Sequence, residues 1–205
     1  MADFGMKWAW LRKPAGQQEV AERDAIEQEV GSFTLTESQD VWVLTVAMEN
    51  VTIWTHVVPL KVNCFIWRAV IGRIPVAVEL SKRNIIVNSM ACQSCAMGEE
   101  DSNHLFVDCT ISKEVLEWIF KWCGIDNRSF STTVDLVTFA ADWGRCPKKR
   151  LIFLAITYGF LWNSWKARND TVFKRMRASA TGIIDNVCTT VFDWVKHRGK
   201  FGSGL

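Results

Sequence analysis

Four residues with the spacing of metal ligands constrain the fold of this chain more than any other feature. Cys92 and Cys95 are separated by two residues, His104 follows after eight more, and Cys109 after another four. A Cys-x2-Cys turn can direct two sulfur atoms at one cation, and a His and a Cys from a following element can complete a tetrahedron. Because thiolates prefer soft or borderline ions, the pattern predicts Zn²⁺. Four protein ligands leave no position for water, so the predicted site is structural.

Two other interpretations of these cysteines stay open at this point. The four residues could be scattered members of a chain that has seven cysteines. Alternatively, Cys92 and Cys95 alone could form a redox pair, although no thioredoxin-like βαβ pattern surrounds them. Cys146, which lies near Arg145 and Lys148, is left unassigned. The other three cysteines lie among apolar residues and are predicted to pack in the core as small hydrophobes: Cys64, Cys123 and Cys188.

The composition is typical of a globular protein. The 205 residues are 49% hydrophobic and carry a net charge of +2, which excludes disorder and a uniformly basic packaging protein. The longest apolar run, residues 151–162, is too short to cross a bilayer, and no secretory signal follows Met1. We therefore expect an intracellular protein, nuclear or cytoplasmic rather than secreted, with reduced thiols and no membrane partner.

The apolar periodicity predicts a mainly α fold, with a compact helical zinc-binding domain, a short N-terminal strand region and long C-terminal helices. Residues 41–46 are β-branched and aromatic, as in a strand. Helices are predicted from Leu60 to about Gly72, over 76–82 and 112–122, from a cap at Ser131 or Thr132 to Gly144, and over 148–168 and 180–198. Two predicted inward faces are Leu60, Cys64, Trp67 and Ile71 in the first helix, and Val115, Leu116, Ile119 and Trp122 in the third.

These elements suggest three segments. Residues 1–40 are predicted to form an N-terminal arm or linker, in which Trp8 and Trp10 pack against the later domain. Residues 41–125 hold the candidate ligands and are assigned to the zinc-binding domain. Residues 126–205 are assigned to a C-terminal basic helical region.

Positive charge is concentrated in two parts of the chain. Residues 54–90 carry five Lys or Arg against one acidic residue, and residues 142–205 carry twelve against four. In the second part the cations alternate with aromatic residues, a composition that suits single-stranded or structured nucleic acid. The same helical spacing would equally bury Trp162 and Trp165 in a core, so both interpretations stay open.

Six basic residues are therefore candidates for contact with RNA or DNA. Arg68, Arg73, Lys82 and Arg83 flank the metal site, and Lys166 and Arg168 follow in the C-terminal part. No catalytic residue is assigned, because no phosphate-binding loop, nucleophile elbow or paired aspartates of a polymerase are present. His56 and His197 have no catalytic partner nearby in sequence. We expect no enzymatic activity of the chain on its own and no small-molecule substrate.

A longer series of residues accompanies the candidate ligands. The residues before the ligands are Val58 to Asn63, Phe65, Trp67, Arg68, Gly72 to Pro75, Leu80 and Arg83. Leu105, Phe106 and Trp118 lie between or after the ligands. The flanking segments are Trp8 to Pro14 and Trp165 to Phe173. This series resembles the zinc-binding domain of plant non-LTR (LINE-type) retrotransposon reverse transcriptases with its flanking segments. The resemblance implies a C-terminal module of an RNA-directed DNA polymerase that holds template RNA or target DNA, with the catalytic domain elsewhere in the parent.

Three positions depart from the pattern of that family and suggest a fragment of a degenerate element. Asn84 stands where the family usually has Gly, and Val76 stands where it often has Thr. A Gly-x-Phe-x-Val strand expected between about Leu44 and Trp54 is missing. Two alternatives to nucleic-acid binding follow: a protein-interaction module in which zinc only holds the scaffold, and a transposon remnant without function.

Overall fold

A small antiparallel sheet precedes the helices in the computed structural model, which describes residues 36–38, 41–44 and 52–199. Its strands are β1 (Thr36–Ser38), β2 (Val41–Leu44) and β3 (Thr52–Thr55), in the order β1-β2-β3. The register places Trp42 opposite both Glu37 and Trp54. The strand predicted from residue 41 is thus present, and two partners that the sequence analysis did not predict extend it into a sheet. Trp8, Trp10 and residues 45–51, where a strand was expected to be missing, lie outside the described residues.

Helices make up most of the rest of the described chain and confirm the mainly α fold. They are α1 (Leu60–Val70), α2 (Ala77–Lys82), α3 (Thr110–Cys123), α4 (Thr133–Asp142), α5 (Pro147–Lys174) and α6 (Ala180–Arg198), with a π-helical turn at His104–Asp108 before α3. Helix α5 is longer than predicted by about a turn and a half at its C-terminal end. No helix within the described residues combines the length and hydropathy needed to cross a membrane.

The ends of these helices follow from local sequence. Helix α4 begins with a capping box, in which the Thr132 hydroxyl accepts the N–H of Asp135 and the Asp135 carboxylate accepts the N–H of Thr132. Helix α3 ends at Gly124, whose φ of +66° is the left-handed conformation that glycine adopts without strain. Asn84 after α2 has a φ of +57°, and because Asn tolerates this region, it can replace the Gly usual in the family.

The predicted inward face of α1 is wrong. Leu60 is 65% exposed, and the buried apolar residues are instead Val62, Phe65, Ile66, Ala69 and Val70. Both sets have helical spacing, so periodicity alone does not distinguish them. In α3, Val115, Leu116 and Ile119 are buried as predicted, but Trp122 is 52% exposed and Phe120 takes the inward position.

Helix α5 is the centre of the hydrophobic core. Every residue from Phe153 to Leu161 is buried, and the helix contacts α6, α4, α1, α3 and the π-helical turn. Gly159 allows α6 to approach, since a Cβ at this position would lie 2.6 Å from Cγ2 of Val191. Helices on both sides of the proposed segment boundary at residue 125 therefore share one core.

A buried amide joins the sheet to this core. The Asn63 side chain on α1 donates to the carbonyl oxygens of Thr55 at 3.0 Å and Val58 at 3.1 Å, and its Oδ1 accepts the N–H of Thr55. These bonds provide hydrogen-bond partners for the backbone polar groups at the end of β3 and at the start of the connection to α1. They position α1, which leads towards the metal site.

Candidate metal centre

The Cys92–Cys95 pair lies in a tight turn closed by backbone hydrogen bonds. The carbonyl of Cys92 accepts the N–H of Ala96 at 2.8 Å, and the N–H of Cys92 donates to the carbonyl of Gly98 at 3.0 Å. Ala96 and Gly98 both have positive φ, +59° and +68°. An isolated β-bridge between Ala91 and Glu99 closes the base of the turn. The chain thus reverses within seven residues, which brings the two thiols to the same side.

His104 and Cys109 come from the two ends of the π-helical turn. The N–H of His104 donates to Oδ1 of Asp101 at 2.6 Å, and the N–H of Cys109 donates to the carbonyl of His104 at 2.7 Å. In a π-helical turn the hydrogen bonds join residues five positions apart, rather than four as in an α-helix, and such turns are frequent at functional sites. Here the turn places both side chains opposite the Cys92–Cys95 turn.

The structure brings all four predicted ligands together. Their sulfur and nitrogen atoms all lie within 4.8 Å of one another, and Sγ of Cys95 is 3.3 Å from Nε2 of His104. A tetrahedral zinc ion with these ligands would separate two sulfurs by about 3.8 Å and a sulfur from a nitrogen by about 3.6 Å. Cys92 and Cys109 are buried, whereas Cys95 and His104 are half-buried. Within the described residues, this is the one such cluster of His, Cys and carboxylate groups.

The electrostatics of the cluster favour a cation. A hydrogen bond from the Cys92 thiol lowers the pKa of Cys109, and the backbone N–H groups of Ser112 and Ile111 lower it further. These N–H groups belong to the first turn of α3, for which Cys109 is the N-cap residue. The same hydrogen bond, together with burial, raises the pKa of Cys92 far above its usual value. A divalent ion that binds here would displace the thiol protons.

Gly98 leaves space for the imidazole. A Cβ at this position would lie 3.2 Å from both Cε1 and Nδ1 of His104. The glycine therefore serves two purposes, because its φ of +68° also closes the cysteine turn. The donor set, the separations and this close approach all fit a Zn²⁺ ion.

A buried ion pair beside the cluster was missed by the sequence analysis. Glu100 is fully buried, and its Oε1 accepts hydrogen bonds from Nε of Arg168 at 3.0 Å, from Nη2 of the same guanidinium, and from the N–H of Ala77 at 3.2 Å. Its Oε2 lies 3.4 Å from the N–H of Gln93, the residue after the first candidate ligand. The pair is separated by 68 positions, so no local pattern indicates it.

This carboxylate also accounts for the start of α2. Val76 is the N-cap residue of that helix and offers no side-chain hydrogen bond, as a Thr hydroxyl at this position could. Glu100 instead accepts the N–H of Ala77, the first residue of the helix. The capping group thus comes from the metal-binding region rather than from the helix itself.

The six candidate nucleic-acid residues have different surroundings. Arg68, Arg73, Lys82, Arg83 and Lys166 are exposed. Nη2 of Arg68 donates to the carbonyl of Arg73 at 3.3 Å, which places these two side chains at the same turn, and Lys82 pairs with Glu79 at 2.7 Å. Arg168 requires a correction: it is 5% exposed and its guanidinium is held by Glu100, so it presents no free charge to a phosphate.

The two tryptophans of α5 pack on the core. Phe65 of α1 contacts both rings, with centroid distances of 5.3 Å to Trp162 and 5.9 Å to Trp165. Lys61 lies over Trp162, and the Arg168 guanidinium lies over Trp165. Their rings therefore serve mainly as the contact between α1 and α5, which favours the core interpretation over base stacking.

The remaining cysteines and histidines take no part in the cluster. Cys64, Cys123 and Cys188 are half-buried, and burial raises the pKa of Cys123 to about 11. Cys146 is exposed at the start of α5. His56 and His197 are exposed, and the Nδ1 atom of His197 lies 2.9 Å from the carbonyl of Asp193.

Comparison with known proteins identifies the domain around the cluster. Residues 37–116 match the family model described as zinc-binding in reverse transcriptase. No curated protein and no solved structure matches the chain. The match includes the cysteine turn, the π-helical turn and the start of α3, and the four side chains form the donor set expected for zinc. The family match and the donor set together support a zinc-binding domain like that of reverse transcriptases over residues 37–116.

Proposed function

We propose that this chain is a nucleic-acid-binding module whose fold is held by zinc at Cys92, Cys95, His104 and Cys109. In this proposal it acts as the C-terminal part of a retrotransposon RNA-directed DNA polymerase and carries no catalytic step itself. Four protein ligands fill the tetrahedron of a zinc ion and leave no position for a reactive water. The family of residues 37–116 supports the connection with a reverse transcriptase.

The observation that carries the proposal is a group of exposed arginines in and directly after helices α1 and α2. Residues 61–83 contain five Lys or Arg and one acidic residue. In the described part of the chain, no carboxylate lies within 4.0 Å of the guanidinium groups of Arg68, Arg73 or Arg83. Exposed cations without an acidic partner are available for phosphate oxygens.

The zinc site itself does not attract phosphate. Three thiolates, one neutral imidazole and Zn²⁺ sum to a charge of −1. Its contribution is to fix the turn after α1 and helix α2, through the bonds that Glu100 makes to Ala77 and Val78. Phosphate contacts then come from Arg68 and Arg73 at the end of α1, and from Lys82 and Arg83 at the end of α2, with Lys166 as a further contact.

The test is a titration of zinc-loaded protein with fluorescently labelled single-stranded RNA, single-stranded DNA and duplex DNA at several salt concentrations. The variant is Arg68→Glu with Arg73→Glu. The matched control is Lys121→Glu with Arg198→Glu, which changes the net charge equally at exposed positions on α3 and α6. Removal of two phosphate contacts should lower affinity at least tenfold and reduce the slope of log K against log salt by about 1.4 for a single strand.

Two results would count against nucleic-acid binding. Equal affinity of the Arg68/Arg73 variant and the control would show that these two charges make no specific contact with nucleic acid. Absence of any salt dependence would favour the alternative, a zinc-stabilised protein-interaction module. That alternative is supported by exposed apolar side chains between α2 and the cysteine turn, where Ile86 is 96% and Ile85 is 50% exposed.

A further inference from the structure

The buried pair of Glu100 and Arg168 connects the metal centre to the long helix α5. Glu100 lies between two candidate ligands in sequence, after the cysteine turn and before His104. Arg168 belongs to α5 and lies far outside residues 37–116 that match the zinc-binding family. The pair is therefore a contact between the zinc-binding domain and a helix that the family match does not include.

Glu100 has contacts that reach the cysteine turn. Its Oε2 is 3.4 Å from the N–H of Gln93, which directly follows Cys92. Its own N–H donates to the carbonyl of Met90 at 2.8 Å, on the other side of Cys92. Glu100 thus forms hydrogen bonds to the backbone on both sides of Cys92 and holds this ligand in position.

Arg168 is held as firmly as its partner. Its side chain is 7% exposed, its Nε and Nη2 both donate to Oε1 of Glu100, and its Nη1 donates to Oδ1 of Asn169 at 3.1 Å. The guanidinium plane also lies over Trp165. Two nitrogens of one rigid guanidinium plane thus hold Oε1 of Glu100 in place, which the single nitrogen of a lysine ammonium would not do.

We propose that Arg168 is a positioning residue for the metal centre, acting through Glu100 on the Cys92–Cys95 turn. The unit that retains zinc then extends from the sheet to α5 and is larger than the matched residues 37–116. Without the guanidinium, the fully buried carboxylate has no cation and must draw water or move, and its contact with the N–H of Gln93 moves with it. Outer residues that orient metal ligands typically change metal affinity tenfold to a hundredfold. This inference rests on zinc binding and not on binding of nucleic acid.

The experiment compares single and double variants in the full chain. Arg168→Met keeps the length of the side chain and removes the charge, Glu100→Gln keeps the shape of the partner, and the third variant combines both. Lys149→Met is the matched control, since Lys149 is an exposed cation on the same helix and has no role in the proposed function. Zinc affinity is measured by competition with a chelator, and the geometry of the ligands by the visible absorption of the Co²⁺-substituted protein.

We expect Arg168→Met to lower zinc affinity at least tenfold and to change the Co²⁺ spectrum, with helical circular dichroism retained in saturating zinc. The double variant should lose less affinity than the sum of the two single losses, because it leaves no unpaired buried charge. Lys149→Met should match the wild type in both measurements. A normal zinc affinity and Co²⁺ spectrum in folded Arg168→Met would overturn the proposal, even if its melting temperature fell.

A conservative variant covers the case in which Arg168→Met does not fold. Arg168→Lys keeps the charge, but its ammonium is a single nitrogen on a flexible stem and cannot reproduce the two nitrogen donors of the planar guanidinium. It should fold, bind zinc more weakly than the wild type, and give an altered Co²⁺ spectrum. Wild-type affinity and spectrum in Arg168→Lys would show that the pair contributes charge neutralisation only, which refutes a positioning role.

Discussion

Substitution of Gly98 tests the geometry of the metal centre most directly. Gly98→Ala adds one methyl group, which would lie 3.2 Å from Cε1 and Nδ1 of His104. This separation is tighter than an ordinary contact, so the imidazole must move by a few tenths of an ångström. Ligand distances in zinc sites vary by only about 0.2 Å. We therefore expect zinc affinity to fall about tenfold, which corresponds to about 1.4 kcal/mol.

A second glycine separates this effect from backbone strain. Gly124 has a φ of +66°, close to the +68° of Gly98, but a Cβ there would have no atom within 4 Å. Alanine at either position in the left-handed region costs about 1–2 kcal/mol of folding stability. Gly124→Ala should therefore lower the melting temperature of the protein without a change in its zinc affinity.

The assay is competition for zinc between each folded variant and a chelator of known affinity. We expect Gly98→Ala to lose zinc at a lower chelator concentration than Gly124→Ala, with similar losses of stability to heat in saturating zinc. Equal zinc affinities of the two variants would refute the argument. In that case the contact between Gly98 and the imidazole would have no bearing on the metal.

Three further predictions concern the metal and the helices. Cys92→Ser should reduce zinc from about one equivalent to none by elemental analysis and melt the helical circular dichroism signal; a folded, zinc-free wild type would contradict this. Gly159→Ala should destabilise the chain to urea by about 1–3 kcal/mol through a clash with Val191, and the further change Val191→Ala should recover part of the loss. Thr132→Ala should cost about 1 kcal/mol in the same assay with an unchanged zinc content, since it removes only a helix cap.

Local sequence determined the candidate ligands and the helix ends. The four ligands lie within residues 92–109, and short-range hydrogen bonds of the cysteine turn and the π-helical turn bring them together. Likewise, Gly124 and the Thr132 capping box act within a few residues of the ends they form. Interactions of this range are encoded by residue type and spacing, which explains why a single sequence predicts them.

The inward face of a helix depended on its partners. Helix α1 has two apolar stripes, and contact with Trp162 and Trp165 selected the one that contains Phe65. In α3 the core received Phe120 rather than Trp122, since Phe120 packs against Phe130, Phe139 and Phe153. Spacing shows that a stripe exists, but the surfaces that cover it come from distant parts of the chain.

The tertiary structure alone decided the role of Arg168. In sequence it is one of twelve Lys or Arg in residues 142–205 and was assigned to nucleic acid. In the folded chain, α5 brings it to a carboxylate 68 positions away, from which water is excluded. A charge on a helix can contact solvent, phosphate or a buried partner, and the choice depends on what the fold places beside it. The sequence alone thus determined the metal ligands, and the packing of α5 decided which cation lies beside them.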